Sequence, residues 1–213
     1  MNRPSILDLY SCAGGAGTGY HRAGFNVTGV DKDPQPHYPF TFVQADALDV
    51  LQDHDFLARF DAIHASPICQ TWTRVTDWRG SRANHPDLLT PTLELLRQVD
   101  LPWIVENAPE AAWAGVLRPD YLLCGTQFGL KVRRHRAFQV GNWIPPFELL
   151  PPCHCRPSRR DLLAFEHKGE RAYADAMGCT WMNNLEARQA IPPTYTEFIG
   201  GHLAAVLERR AAA

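Results

Sequence analysis

The chain is predicted to be an α/β protein, an open sheet covered by helices, and three observations carry that prediction. Short apolar runs recur at 5–10, 26–30, 60–64 and 101–105, each ending in a polar or proline-containing turn. A glycine-rich turn, 11–19, follows the first run and opens onto a helical pattern through Ala23. Helical periodicity returns at 86–100 and 195–209. With 213 residues and 45% hydrophobic content, the chain has material for one sizeable core and at most a small appended lobe.

Charge is nearly balanced, with 21 Lys+Arg against 23 Asp+Glu, so a polyanion would have to be held by local basic clusters and not by the overall field. That balance excludes a bulk nucleic-acid coat protein. The six cysteines are scattered, and neither a secretory signal nor a long apolar span is seen, so a cytoplasmic protein with reduced thiols is expected. No membrane partner is expected, and oligomeric state is not legible.

In chain order, the first strand leads into Ser11-Cys12-Ala13-Gly14-Gly15-Ala16-Gly17, where glycines allow a ligand close to the backbone and the helix start offers unpaired N–H groups. A purely structural strand-to-helix turn reads the same way. The second strand ends in Asp31, about where a nucleotide-binding unit places its ribose carboxylate, and a further acidic turn contains Asp46. Two carboxylates at successive strand ends favour an adenosine-containing ligand, and no Lys-Ser/Thr follows the glycines as in a P-loop.

The run 60–64 is followed by Ala65-Ser66-Pro67-Ile68-Cys69-Gln70-Thr71, which sets Cys69 on a turn beyond the strand's carboxyl end, where open α/β sheets bind ligands. Cys69 is either a nucleophile or a small buried hydrophobe. From Thr71 to His85, Trp72 and Trp78 interleave with Arg74, Arg79 and Arg82, a pattern suited to stacking on bases, or to a solvated loop with two packing aromatics. The helix at 86–100 must take Pro91 in its first turn or kink there. Glu106 and Asn107 close the next strand, where the carboxylate is a general acid or a cap. Strand alternation in Lys131-Val132-Arg133-Arg134-His135-Arg136 sends Arg134 and Arg136 to one side. The stretch 141–160 is proline-rich and irregular. Within it Cys153-His154-Cys155, with His167 or Cys179, is the nearest approach to a ligand set, but the spacing matches no common zinc pattern and no metal is assigned. In the last helix Gly200-Gly201 suggests a close approach by ligand or backbone. Gln70, Trp72, Arg74, Arg133, Arg159 and Arg160 are the candidate substrate contacts, the arginines supplying local positive charge.

Taken in order, these pieces resemble the cytosine-5 DNA methyltransferases from Asp8 to about Leu203. Asp8-Leu9-Tyr10-Ser11-Cys12-Ala13-Gly14-Gly15 is similar to the family's cofactor loop DLFCGxGG, and Ser66-Pro67-Ile68-Cys69-Gln70 to its nucleophile loop SPPCQ. Glu106-Asn107-Ala108 resembles ENV, and 127–136 resembles DFGxPQxRxR, aligning Arg134 and Arg136 with its two arginines. Gly200-Gly201 falls where the family has its last, GN-containing motif. The resemblance implies a Rossmann-like S-adenosylmethionine-dependent methyltransferase fold, a twisted, mostly parallel sheet with helices on both faces plus a small irregular lobe. The expected division is a core over 1–140, a substrate-facing lobe over 141–180 and completing helices over 181–213.

It further implies S-adenosylmethionine held by Asp8, Tyr10, Ser11, Cys12, Ala13, Gly14, Gly15, Asp31, Lys32, Asp46, Ala47, Ser66, Pro67, Gly200 and Gly201. The partner implied is DNA, in which a flipped cytosine is attacked at carbon 6 by Cys69 and methylated at carbon 5. Glu106 would donate to ring nitrogen 3, Arg136 hold the carbonyl oxygen, and Asn107 and Arg134 position these groups. Three departures stand out: Ile68 for proline, Val132 for glutamine and Gly201 for asparagine. The interval before Pro192 is also short for a target-recognition domain, as in a small phage or bacterial member of the family. Two alternatives follow, a pyrimidine-modifying relative acting on RNA or nucleotides or with an altered cofactor, and a catalytically silent binding module.

Overall fold

The computed structural model describes residues 3–72, 85–156, 158–159, 161–163 and 171–212. Seven strands form one sheet: β1 (Ser5–Leu9), β2 (Asn26–Asp31), β3 (Thr41–Gln44), β4 (Ala62–Ala65), β5 (Trp103–Asn107), β6 (Tyr121–Leu123) and β7 (Arg136–Gly141). Their spatial order is β3-β2-β1-β4-β5-β7-β6, and β7 alone runs antiparallel to both its neighbours. Parallel strands covered on both faces are apolar nearly throughout, and β4 and β5 are buried at every position.

The pleat divides the core in two. Leu7, Leu9, Val30, Ile63 and Val105 face α2 (Ala47–Val50), α3 (His54–Leu57), α4 (Leu89–Leu96) and α5 (Pro109–Trp113). Ile6, Val27, Ala62, Ile104 and Phe138 face α1 (Gly15–Arg22) and α8 (Pro193–Ala211). A third cluster joins α6 (Arg171–Met177) and α7 (Asn184–Gln189) to Ala13 and Val132. Helices therefore cover both sheet faces. Chain order reverses between β1 and β4, so the loops leaving those strands diverge and open a crevice at their carboxyl ends.

Close contact between α1 and α8 depends on Gly19, where a Cβ would lie 2.0 Å from both the Pro193 carbonyl oxygen and Thr196 Oγ1. The Thr196 hydroxyl donates to the Ala16 carbonyl across the same contact, at 2.8 Å. Of the two readings of Gly200-Gly201, close approach by ligand or by backbone, the structure favours the second at Gly200, and the cofactor contact that the resemblance implied is corrected. A Cβ on Gly200 would meet Ala23 and Tyr20 of the α1 segment at 2.9 and 3.0 Å, whereas Gly201 faces open space. Helix packing thus accounts for the first glycine, and the second has no structural account.

Element boundaries also differ from expectation, β4 being Ala62–Ala65 and the last helix Pro193–Ala211. The helix predicted over 86–100 is limited to Leu89–Leu96 and starts where Asp87 Oδ1 accepts the Leu89 and Thr90 N–H groups, with Pro91 in the first turn. The strand predicted over 101–105 is instead Trp103–Asn107, because pairing with β7 carries it onward and sets Glu106 opposite Phe138. In the region predicted as a lobe, no helix or strand occurs over 142–156, and Ile144, Phe147 and Leu149 are exposed. The following helices instead pack against the glycine loop, where the Trp181 indole donates to the Ala13 carbonyl at 2.8 Å.

Candidate active site

A cleft of about 1190 Å³ opens at the carboxyl ends of the parallel strands. Its walls are the turns after β1 (Tyr10, Ser11, Cys12), β2 (Asp31, Lys32), β3 (Asp46, Ala47) and β4 (Ser66 to Gln70), with Glu106 of β5 and Arg133, Arg134 and Arg136 leading into β7.

One half has the character of a nucleoside-type site. Tyr10 and Cys12 both take left-handed backbone angles, φ 57° and 43°, a strain of order 1–3 kcal/mol each that tends to collect at functional turns. Between them the buried Ser11 hydroxyl has no hydrogen-bond partner among the described residues. Asp31 is oriented by the Cys12 N–H at 3.0 Å and the Asp33 N–H at 3.1 Å, and Asp46 by the Leu48 N–H at 2.8 Å. A carboxylate offers about four acceptor positions, so both retain capacity for ligand hydroxyl or amine donors. An orphaned hydroxyl on a strained turn and two oriented carboxylates line this one cleft, a donor and acceptor set that fits the ribose and adenine of S-adenosylmethionine.

The other half holds the reactive groups. Cys69 is half-buried in the cleft wall, and its thiol is close enough to Arg134 and Arg136 to act on both electrostatically. Arg136 Nε lies 2.6 Å from Glu106 Oε1. The sheet register explains this pairing, since Glu106 stands opposite Phe138 and Arg136 is its diagonal neighbour on the same face, within reach of a long side chain. Burial pushes the Glu106 carboxyl above its ordinary range, against the pull of Arg136, Arg134 and a hydrogen bond with Ser66. The buried Asn107 amide donates to the Pro67 carbonyl at 2.9 Å and so fixes the turn that carries Cys69. Arg134 is held from behind, donating to the Tyr173 hydroxyl at 3.3 Å and the Gln189 carbonyl at 3.1 Å.

A buried polar chain supports Glu106. The Tyr20 hydroxyl meets His64 Nδ1 at 3.0 Å, His64 Nε2 meets the Ser66 hydroxyl at 2.9 Å, and Ser66 in turn reaches Glu106. Desolvation lowers the His64 pKa to about 3, so the imidazole is neutral at physiological pH. Sequence reasoning passed over His64 because it sits in an apolar strand. The neighbours that share its pleat face were the available signal.

Several expected residues lie elsewhere. Asp8 is not in the cleft wall; it is fully buried under α1, accepting from the Tyr38 hydroxyl at 3.1 Å and from Gly17 N–H. Ala13 packs with α6 and α7, and Gly14 sits against Pro39 and Tyr38. Gly200 and Gly201 lie outside the cleft, which Gln189, Ala190 and Ile191 line in their place. Trp72 packs against the core, and exposed Arg159 donates to Asp161 at 2.6 Å. Arg74 and Arg160, with Trp78, Arg79 and Arg82, lie outside the described residues. Arg188, Trp113 and Leu185 line the cleft without having been anticipated, the last two being exposed apolar side chains at its rim.

No family profile and no curated protein matches the chain. Among solved structures, the methyltransferase EhMeth of Entamoeba histolytica superposes with a TM-score of 0.50 at 17% identity, over 70% of this chain and 56% of that one. DNMT2 of Spodoptera frugiperda, in a triply substituted form, gives 0.49 at 20% identity over 68% and 52%, and the Dnmt2 methyltransferase of S. pombe 0.47 at 22% over 68% and 52%. The chain spans about half the length of the solved structures it matches. Its fold is therefore the Rossmann-like α/β fold that it shares with EhMeth, a mostly parallel sheet with β7 reversed beside β5. Among the described residues no helix is long and apolar enough to cross a membrane.

Proposed function

We propose that this protein is an S-adenosylmethionine-dependent methyltransferase acting on carbon 5 of cytosine in DNA through a covalent Cys69 adduct. The observation that carries this reading is the meeting, in one cleft, of the Cys69 turn with the buried Glu106–Arg136 pair. Carbon 5 of cytosine is a weak nucleophile, and thiolate attack at carbon 6 makes it enamine-like. Glu106, with a carboxyl held above its ordinary range, supplies a proton to ring nitrogen 3 as negative charge develops. Arg136 neutralises charge at the neighbouring carbonyl oxygen, while Asn107 and Ser66 keep the thiol and carboxyl in register. S-adenosylmethionine, when bound against Ser11, Asp31 and Asp46, would supply an electrophilic methyl group and leave as the neutral thioether, after which loss of the carbon-5 proton to solvent and expulsion of the Cys69 thiolate restore the ring. A base in duplex DNA must leave its stack at a cost of a few kcal/mol, and exposed Trp113 at the cleft rim offers a stacking surface. A thiolate nucleophile suits a reducing, cytoplasmic setting.

One observation favours a second reading. Only 55 residues lie between Arg136 and Pro192, little room for a region that reads a DNA sequence, which suits RNA or a pyrimidine nucleotide as substrate. Labelled methyl transfer to DNA, RNA and cytidine nucleotides, with 5-fluorocytosine in each to trap the adduct, separates these readings. Wild type is expected to trap 5-fluorocytosine DNA, and Cys69→Ser is not. Trapping on RNA or nucleotide alone would replace the DNA assignment, and no adduct on any of them would leave a silent binding module.

A further inference from the structure

Beside the two cleft arginines, four metal-binding side chains converge from three separate stretches of chain, and one of them, His135, also lines the cleft. Cys124 follows β6, His135 precedes β7, and Cys153 and Cys155 come from the proline-rich stretch. One ligand atom from each lies within 4.8 Å of all the others. His135 Nε2 is 3.1 Å from Cys155 Sγ and 3.5 Å from Cys153 Sγ, and the two sulfurs are 2.9 Å apart. That separation is well beyond the ~2.05 Å of a covalent S–S bond, and all three thiols are free. A tetrahedral zinc with metal–sulfur bonds near 2.3 Å requires ligand atoms about 3.8 Å apart, so a small outward adjustment of this cluster accommodates the ion.

We propose that Cys124, His135, Cys153 and Cys155 form a structural zinc site of the Cys₃His type. Thiolate and imidazole donors select zinc over magnesium or calcium, and four protein ligands leave no open position for catalysis. Metal binding releases the thiol protons to solvent. The surroundings support the cluster. The Thr126 hydroxyl lies 3.5 Å from Cys124 Sγ and 3.6 Å from Cys153 Sγ and accepts the His154 N–H at 3.1 Å, and Gln127 donates to the Pro151 carbonyl at 3.1 Å. Such contacts around a ligand set orient it. The proline-rich stretch has no helix or strand over 142–156; Asn142, Trp143 and Glu148 hold its first part to the fold, and the ion would hold its last part. Because His135 stands between Arg134 and Arg136, the ion would tie this stretch to the segment that presents both arginines to the cleft. The sequence concealed the set: the spacing drew attention to His154, which the structure leaves out, and the true partners lie about 20–30 residues upstream of the Cys-His-Cys run.

The inference does not rest on the methyl-transfer reading. The full chain, purified under reducing conditions from zinc-supplemented cells, is expected to carry about one zinc per chain by elemental analysis. Cobalt(II) exchanged into it should give the absorption of a tetrahedral thiolate complex. Cys153→Ser/Cys155→Ser should retain below about a tenth of the zinc and lose hydrogen-exchange protection over 142–156. A folded wild type without zinc that also gives no cobalt–thiolate spectrum would overturn the proposal even if the double variant failed to fold. So would zinc retained in full by that variant, or a wild type isolated two mass units light with Cys153 and Cys155 joined as a disulfide.

Discussion

Replacing Asp8 by asparagine should change how stability depends on pH in a way that can be worked out from the structure. Burial pushes the Asp8 carboxyl up to about 8, outweighing the hydrogen bonds from Tyr38 and Gly17, whereas in the unfolded chain it titrates near its ordinary 3.8. Between those values the native state holds one proton more than the unfolded state. The stabilisation is thus complete below pH 3.8 and is lost as pH rises through 8, at about 1.4 kcal/mol per pH unit. Wild type alone would conceal this, because His64, neutral in the fold down to about pH 3, contributes the opposite slope between 3 and 6.5. Between about pH 4 and 6.5 the two slopes oppose each other, and the raised Glu106 carboxyl adds to the slope of Asp8. Asp8→Asn cannot ionise, so the difference in unfolding free energy, wild type minus variant, isolates the carboxyl. Urea denaturation at pH 5, 6 and 7 should show this difference falling by about 3 kcal/mol in all, around any constant offset from the altered hydrogen bonds. A difference independent of pH would mean that Asp8 is ionised in the fold, and the account of it as a buried, protonated group would be wrong.

Other outcomes follow from the same structure. His64→Gln should remove the acid-side loss of stability, so that wild type minus variant falls by about 1.4 kcal/mol for each unit below pH 6.5, read by the same denaturation series. Gly19→Ala forces a methyl group into the α1–α8 contact and should lower stability by about 1–3 kcal/mol or more, seen as a reduced thermal midpoint. Glu106→Gln should slow methyl transfer by about 10²–10⁴-fold while leaving S-adenosylmethionine affinity, measured calorimetrically, nearly unchanged. Normal turnover in that variant would remove the acid role assigned to Glu106.

Local chemistry made the framework legible. Apolar strands, the glycine turn and the acidic strand ends depend on neighbours in sequence, and they located the cleft residues Ser11, Asp31, Asp46 and Cys69. Arg134 and Arg136 both reach the cleft as expected, but β7 begins only at Arg136, so the strand alternation invoked for the run is not what brings them there. Contacts between distant segments were not legible. Glu106 meets Arg136 only because β7 inserts antiparallel beside β5 in one particular register. His64 becomes part of a polar chain only because α1 lays Tyr20 over β4. Gly200 reads in sequence as a close approach by ligand or backbone and proves in space to be a helix contact, and a Cys-His-Cys run with no fitting zinc spacing gains Cys124 and His135 across the fold. The sequence by itself determined which groups were available and on which turns they stood. Tertiary structure decided which of them meet, because sheet register and helix packing bring together side chains whose separation along the chain carries no periodic signal.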